Sequence, residues 1–192
     1  MIEALISSKT RIKLLLKFFL NSSTTSYLRG LESEFGESSN AIRLELNKME
    51  EAGMLDSYLE GNKKIFKANT KYPLFSEIHS ILMKYIGIDH VLDIVVKRMG
   101  QLDKAYLTGA FAQGRDSGVI DLVLVGTLDK NYLIQLVEKA EKLIKRKIRY
   151  VIYESDAEMQ QGLFSLDQVP FLIWSSTDIT MPIPVTEPKK VQ

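Results

Sequence analysis

The 192-residue chain contains 45% hydrophobic and 26% charged residues and has a formal net charge of +1. These values are typical of a folded globular protein and argue against a disordered chain, a coiled coil or a polycation that coats nucleic acid indiscriminately. The sequence has no cysteine, which excludes disulfides and thiolate metal sites, and with only His79 and His90 any metal or acid–base chemistry would depend on carboxylates.

Three amphipathic helices are predicted in the first 53 residues. The first follows Ser7–Ser8 and ends near Asn21, the second ends at Gly36, and the third follows Ser38–Ser39 and ends before Gly53. Their apolar positions recur at helical spacing. These positions are Ile12, Leu15, Leu16 and Phe19, then Tyr27, Leu28, Leu31 and Phe35, then Ile42, Leu46 and Met49.

Two strands, at 54–59 and 64–68, flank a Gly61–Asn62 turn and predict a hairpin. Three helices followed by a hairpin is the order of elements in a winged helix. A helix starting at Pro73 then carries two neighbouring apolar stripes, an arc wide enough to require two packing partners. The stripes are Leu74, Ile78, Ile81 and Tyr85, and Phe75, Leu82 and Ile86.

The second half alternates strands with helices after a break at Gly87. Helices are predicted at 89–99 and 129–145, strands at 105–108, 119–125, 148–153 and 169–174, and a short helix from the Ser155-x-x-Glu158 capping box. We therefore predict an α+β protein with a winged-helix domain at 1–87, a small domain with a mixed sheet and flanking helices at 88–180, and a frayed tail at 181–192.

A polar face on the third helix and the polar hairpin tip could bind DNA. The candidate DNA-binding residues are Ser38, Ser39, Asn40, Arg43, Asn47, Lys48, Asn62, Lys63 and Lys64. A helix in the major groove contacts bases mainly through its early residues, so Ser39, Asn40 and Arg43 would specify sequence, and the hairpin tip would contact phosphates. The alternative is a merely solvated helix face and a favourable turn.

The stretch from Asn40 to Leu55 resembles the recognition helix and wing entry of arsenic-repressor-type winged-helix regulators, and the resemblance covers about residues 8 to 84. It implies binding to double-stranded DNA. Many members of that family dimerise through a helix outside the wing, so the resemblance also implies a homodimer, with the 73–86 helix in that role.

The stretch 107–114, followed by the apolar run 119–125, resembles the core of the minimal DNA polymerase beta-like nucleotidyltransferases. Such enzymes hold triphosphate at a Gly-Ser turn and bind two metal ions with an Asp-x-Asp pair. By this resemblance Gly109, Ala110, Gly114 and Asp121 form a vestigial nucleotide site. Ala110 replaces the serine, Val119 replaces the first aspartate, and the later strand carries Arg149 instead of a carboxylate.

We therefore expect a sequence-specific transcriptional regulator whose second domain is catalytically inactive, with no cofactor or metal, and which responds to an unidentified small-molecule or protein effector. Two alternatives are an active, antitoxin-like nucleotidyltransferase and a protein-interaction module without DNA binding. In a purely structural interpretation the two glycines serve tight turns, and Asp121 caps a loop or pairs with Arg115. No apolar run approaches the roughly 18 residues of a membrane helix, so we expect a cytoplasmic protein.

Overall fold

The computed structural model describes residues 2–99, 101–163 and 170–177 of the chain. Its helices accompany two separate sheets, which agrees with the predicted α+β class. The first elements are a 3₁₀ turn at Ile2–Ala4, α1 at Lys9–Leu15 with a π-helical extension at Leu16–Leu20, β1 at Thr25–Tyr27, α2 at Leu28–Phe35, α3 at Ser39–Glu51, β2 at Leu55–Glu60 and β3 at Lys63–Ala68. The others are α4 at Phe75–Ile86, α5 at Ile88–Met99, β4 at Leu102–Thr108, α6 at Gly109–Ala112, β5 at Val119–Gly126, α7 at Lys130–Ile144, β6 at Lys147–Tyr153, α8 at Asp156–Leu163 and β7 at Phe171–Ser175.

Local capping signals determine the ends of the first three helices. The Ser8 hydroxyl accepts the backbone N–H of Arg11 at 3.2 Å, and the Ser38 hydroxyl accepts that of Ala41 at 3.3 Å. Gly36 ends α2 in the left-handed conformation, with φ +64°. These contacts satisfy backbone groups that a helix end leaves unpaired, and they confirm the predicted boundaries.

The first helix is more buried than its apolar stripe predicts. Residues 14 to 20 are all buried, and Leu14, Phe18 and Leu20 have no exposed surface. The remaining faces are covered because α4 and α6 also pack against the π-helical segment.

The first sheet has the order β1-β3-β2 and is antiparallel throughout. The β2–β3 hairpin is the one predicted, and Gly61 makes its turn with φ +57°. The sequence did not predict β1, which pairs Thr25 with Lys67 and Tyr27 with Ile65. Its three residues are too few to show strand alternation, and their conformation depends on backbone pairing with a distant strand.

The α4 helix begins at Phe75, two residues after the predicted start. Leu82 and Ile86 are fully buried, whereas Leu74 and Ile81 of the other predicted stripe keep 53% and 45% of their surface exposed. The π-helical segment and α5 therefore cover only part of the apolar arc of α4.

The second sheet has the order β6-β5-β4-β7, with β5 and β6 parallel and the other pairs antiparallel. The predicted strand start at Val169 and the predicted tail at 181–192 lie outside the described residues. One cluster of buried apolar side chains extends from Ile2 to Ile148 and contacts both sheets. The two halves of the chain thus share a continuous hydrophobic core.

Candidate functional site

A cleft of about 590 Å³ opens between α3, the start of α2 and the β2–β3 hairpin. Five of the nine candidate DNA-binding residues line it, two from α3 and three from the hairpin tip. These are Arg43, Asn47, Asn62, Lys63 and Lys64. Asn47 lies one helical turn after Arg43, and the hairpin register places Lys63 opposite Glu60 beside the turn. The fold therefore brings the two predicted groups of polar residues to one place.

The other four candidates lie on α3 outside this cleft. The Ser38 hydroxyl caps the helix, while Asn40 and Lys48 are exposed and Ser39 is half-buried. Ser39 and Asn40 occupy the first turn of α3, where their side chains remain accessible from solvent.

The cationic side chains at the cleft differ in how far they are neutralised. Lys64 forms a 2.6 Å ion pair with Glu50, and the hydrogen bonds from Lys64 and then Ser57 lower the pKa of the Glu50 carboxyl. The Lys63 ammonium lies 4.4 Å from the centre of the Tyr27 ring, a cation–π distance. Lys64 should therefore attract an incoming anion more weakly than Lys63 does.

Sequence reasoning missed two side chains of the cleft that carry polar groups, Arg29 and Tyr27. Within the described part of the chain, neither Arg29 nor Arg43 forms an ion pair, and both are exposed. Arg29 follows Leu28 in the first turn of α2, a helix that the sequence identified only by its apolar stripe. Nothing in the sequence next to Arg29 indicates that the start of α2 faces the hairpin.

The glycine turn between β4 and β5 lies against Asp121. A Cβ at Gly109, whose φ is +64°, would come within 2.2 Å of the Asp121 Oδ2 atom. Because Thr108 and Asp121 are register partners in the sheet, the turn that follows Thr108 passes directly over this carboxylate. This glycine turn spans 109–114 and contains α6, which has only four residues with Ala110 in its first turn.

Asp121 pairs with Arg149, and the predicted alternative of a pair with Arg115 is wrong. The Arg149 Nε atom donates to Asp121 Oδ1 at 2.6 Å, while the Arg115 guanidinium lies 3.8 Å from Glu34. The cause is the parallel register of β5 and β6, which places Asp121 beside Arg149. A guanidinium thus contacts the carboxylate that the resemblance assigns to metal binding.

Val119, two residues before Asp121, lies on the same face of β5 and carries no ligand atom. In the parts of the chain that the structure describes, no three His, Asp or Glu side chains are close enough together to hold a metal ion. The described geometry around Asp121 therefore offers one carboxylate, already paired with a cation.

The end of the same glycine turn packs against the first helix. Lys17 Nζ donates to the Gln113 carbonyl oxygen at 3.0 Å, and Asn21 Nδ2 donates to the Ala112 carbonyl oxygen at 3.0 Å. Lys17 also forms a 2.8 Å ion pair with Glu34 of α2. These contacts connect the turn to the helices on either side of β1, and no sequence pattern indicated them.

Among the helices described, none is long and apolar enough to cross a membrane. No protein-family model matches the chain, and no curated protein matches it. The resemblances to winged-helix regulators and to nucleotidyltransferases therefore depend on the residues quoted above and on the geometry of the two candidate sites.

Proposed function

We propose that the protein is a cytoplasmic, sequence-specific DNA-binding transcriptional regulator. In this proposal α1, α2 and α3 with the β1-β3-β2 sheet form a winged helix, and the β2–β3 hairpin is the wing. The observation that carries the proposal is the cleft in which Arg43 and Asn47 of α3 meet Asn62 and Lys63 of the hairpin tip. A helix and a hairpin tip bearing amide and cationic groups side by side can contact base edges and phosphates at once.

The two groups of residues have different roles in DNA binding. With α3 in the major groove, Ser39, Asn40 and Arg43 contact base edges because the early residues of a recognition helix reach deepest. Lys63 contacts a phosphate of the flanking backbone. Lys64, which the sequence placed in the same role, contributes less because Glu50 already neutralises it.

Binding of purified protein to a random duplex library at several salt concentrations tests this proposal. Affinity should fall steeply as salt rises, because cations on the protein displace counterions from DNA. Arg43→Ala should relax sequence preference at one or two positions, and Lys63→Ala should weaken all sequences about equally. Lys139→Ala, an exposed lysine on α7, is the matched control and should leave binding unchanged. A library without any bound duplex at low salt would contradict the proposal.

We further propose that the second half is a nucleotidyltransferase-like domain without catalytic activity, acting as a sensor or interaction module. Two-metal phosphoryl transfer needs several carboxylates to hold the ions that neutralise the transferred group. The described site offers Asp121, which is ion-paired with Arg149, and Val119 in place of the first aspartate of the pair. Labelled nucleoside triphosphates with Mg²⁺ or Mn²⁺ should therefore give no transfer. Transfer that Asp121→Asn abolishes would support the enzyme alternative instead.

We also propose a homodimer in which the exposed stripe of α4 is the contact. Leu74 and Ile81 lie on one side of this helix and are about half exposed. Apolar side chains at this spacing on one helix face form a surface that a second copy of the same helix can cover in a symmetric contact. The dimer would place two recognition helices on one operator.

A further inference from the structure

The floor of the α3–hairpin cleft is apolar, although its rim is cationic. Leu28, Leu46, Phe66 and the ring of Tyr27 line the interior of the cleft. Leu46 and Phe66 belong to the hydrophobic core of the protein and are buried, so the cleft reaches down to the core surface. Its volume of about 590 Å³ lies within the range of about 300–1,000 Å³ of sites that hold small organic ligands.

Duplex DNA would match the cationic rim of this cleft, but it would leave the apolar floor without a contact. A DNA backbone is convex and presents charged phosphates and polar sugars, which match Arg43 and Lys63 at the rim. A base could reach Leu28 only by leaving the base stack, and this unstacking costs free energy. The apolar interior is therefore available to a smaller ligand with an apolar body.

The charges at the rim determine what kind of small ligand fits. Within the described residues the guanidinium groups of Arg29 and Arg43 have no ion-pair partner. A planar guanidinium binds carboxylate, sulfonate or phosphate oxygens with two parallel hydrogen bonds. A cationic ligand would be repelled by the same groups, and a neutral one would leave them unused. Charge complementarity therefore favours an anion.

We propose that this cleft binds a planar aromatic acid of small-molecule size, and that this ligand and duplex DNA exclude each other. The ring would lie between Tyr27, Leu28 and Phe66, and its acidic group would accept hydrogen bonds from Arg43, with Arg29 as a second cation beside it. Exclusion follows because Arg43 cannot bind the acid and a base edge at the same time. The competition rests on the proposed DNA binding, whereas the binding of the acid does not.

The first experiment uses 1-anilinonaphthalene-8-sulfonate, a fluorescent aromatic anion, together with its uncharged counterpart N-phenyl-1-naphthylamine. The sulfonate should bind the full chain with one-to-one stoichiometry and about tenfold or more tighter than the neutral compound, the difference expected for hydrogen bonds to a charged group. Equal affinity for the two compounds would overturn the proposed role of the arginines.

Three variants locate the binding site of this fluorescent anion. Leu28→Trp fills the cleft and should abolish binding. Arg43→Gln, a change of an exposed side chain, should weaken binding about tenfold. Leu59→Ser is the matched control, because Leu59 is 78% exposed on the hairpin but does not line the cleft. Unchanged binding in both cleft variants, or a loss in Leu59→Ser alone, would show that the anion binds elsewhere and would overturn the inference.

Titration of the sulfonate complex with the preferred duplex completes the test. Displacement of the fluorescent anion by DNA supports mutual exclusion, and simultaneous binding of both overturns it. Protein that binds the anion in the cleft but binds no duplex would refute the proposed regulator while leaving the ligand site intact. The two proposals can therefore fail separately.

Discussion

Replacing Gly114 by alanine tests whether the glycine turn is held against the first helix. Gly114 has φ +75°, and a Cβ there would lie 2.2 Å from the Lys17 Cα atom and 2.8 Å from the Leu16 carbonyl oxygen. Both atoms belong to the backbone of the π-helical segment, so a side-chain rotation cannot relieve the contact. Gly118, four residues later, provides a matched control because it has φ +73° and no atom within 4 Å of the added Cβ.

Both substitutions place alanine in an unfavourable backbone conformation, but only Gly114→Ala also creates a steric contact. Placing alanine in the left-handed region costs about 1–2 kcal/mol at either position. At Gly114 the added methyl group must also be accommodated, and overpacking of this kind costs about 1–3 kcal/mol. If the turn moves away instead, it loses the hydrogen bonds from Lys17 and Asn21, worth about 1 kcal/mol each. These two routes together make Gly114→Ala about 1–3 kcal/mol less stable than Gly118→Ala.

Urea unfolding of the two variants measures this difference directly. Thermal unfolding should give a midpoint about 2–12 °C lower for Gly114→Ala than for Gly118→Ala, from about 2–4 °C per kcal/mol in a chain of this size. Equal stability of the two variants would refute the reasoning, because it would show that the turn does not contact the first helix in solution.

Three further predictions concern other parts of the chain. Ile81→Glu should give monomers in sedimentation, whereas Ile134→Glu, at a similarly exposed site on α7, should not. Wild-type protein that is monomeric at high micromolar concentration would exclude the dimer. Burial lowers the pKa of His79 below its ordinary value of 6.5, so the neutral imidazole contributes its full stabilisation above pH 6.5 and the free energy of unfolding should fall as the pH drops below that value. The His79→Gln variant should show a smaller difference between urea unfolding at pH 7.5 and at pH 5.5. Restoring the turn hydroxyl with Ala110→Ser and the carboxylate pair with Val119→Asp should yield calorimetric Mn²⁺ binding only when Arg149→Ala is also present. Binding without that third change would show that Arg149 does not block the site.

Elements whose signals lie within their own segment were predictable from the sequence. Ser38 and Gly36 determine helix ends through contacts with residues three or four positions away, and the hairpin turn depends on Gly61. Each signal needs no knowledge of the remaining chain. Most of the longer helices and strands could therefore be predicted in their correct order, but β1 and α6 were not predicted, and β4 begins at Leu102 instead of the predicted Ala105.

Features that depend on distant parts of the chain were not predictable. The full burial of α1 requires α4 and α6, and β1 requires β3. The partner of Asp121 depends on the register between β5 and β6, which selects Arg149 over the nearby Arg115. Likewise, Arg29 joins the cleft only because the start of α2 faces the hairpin tip. In each case the missing information is a pairing in three dimensions.

The glycine turn has a structural role here that does not depend on phosphate binding. Gly109 gives the room that the Asp121 side chain occupies, and Gly114 allows the backbone to contact α1 closely. The carbonyl groups at the end of the turn accept hydrogen bonds from α1, and Lys17 connects that contact to Glu34 of α2, the helix just before α3. A ligand or protein that displaced the turn would have to break the hydrogen bonds from Lys17 and from the buried Asn21. It would leave the Asn21 amide N–H without its carbonyl partner, which is costly in the interior. The turn is therefore linked by these hydrogen bonds and by the Lys17–Glu34 ion pair to the helices of the proposed winged helix, whether or not the second half binds a nucleotide.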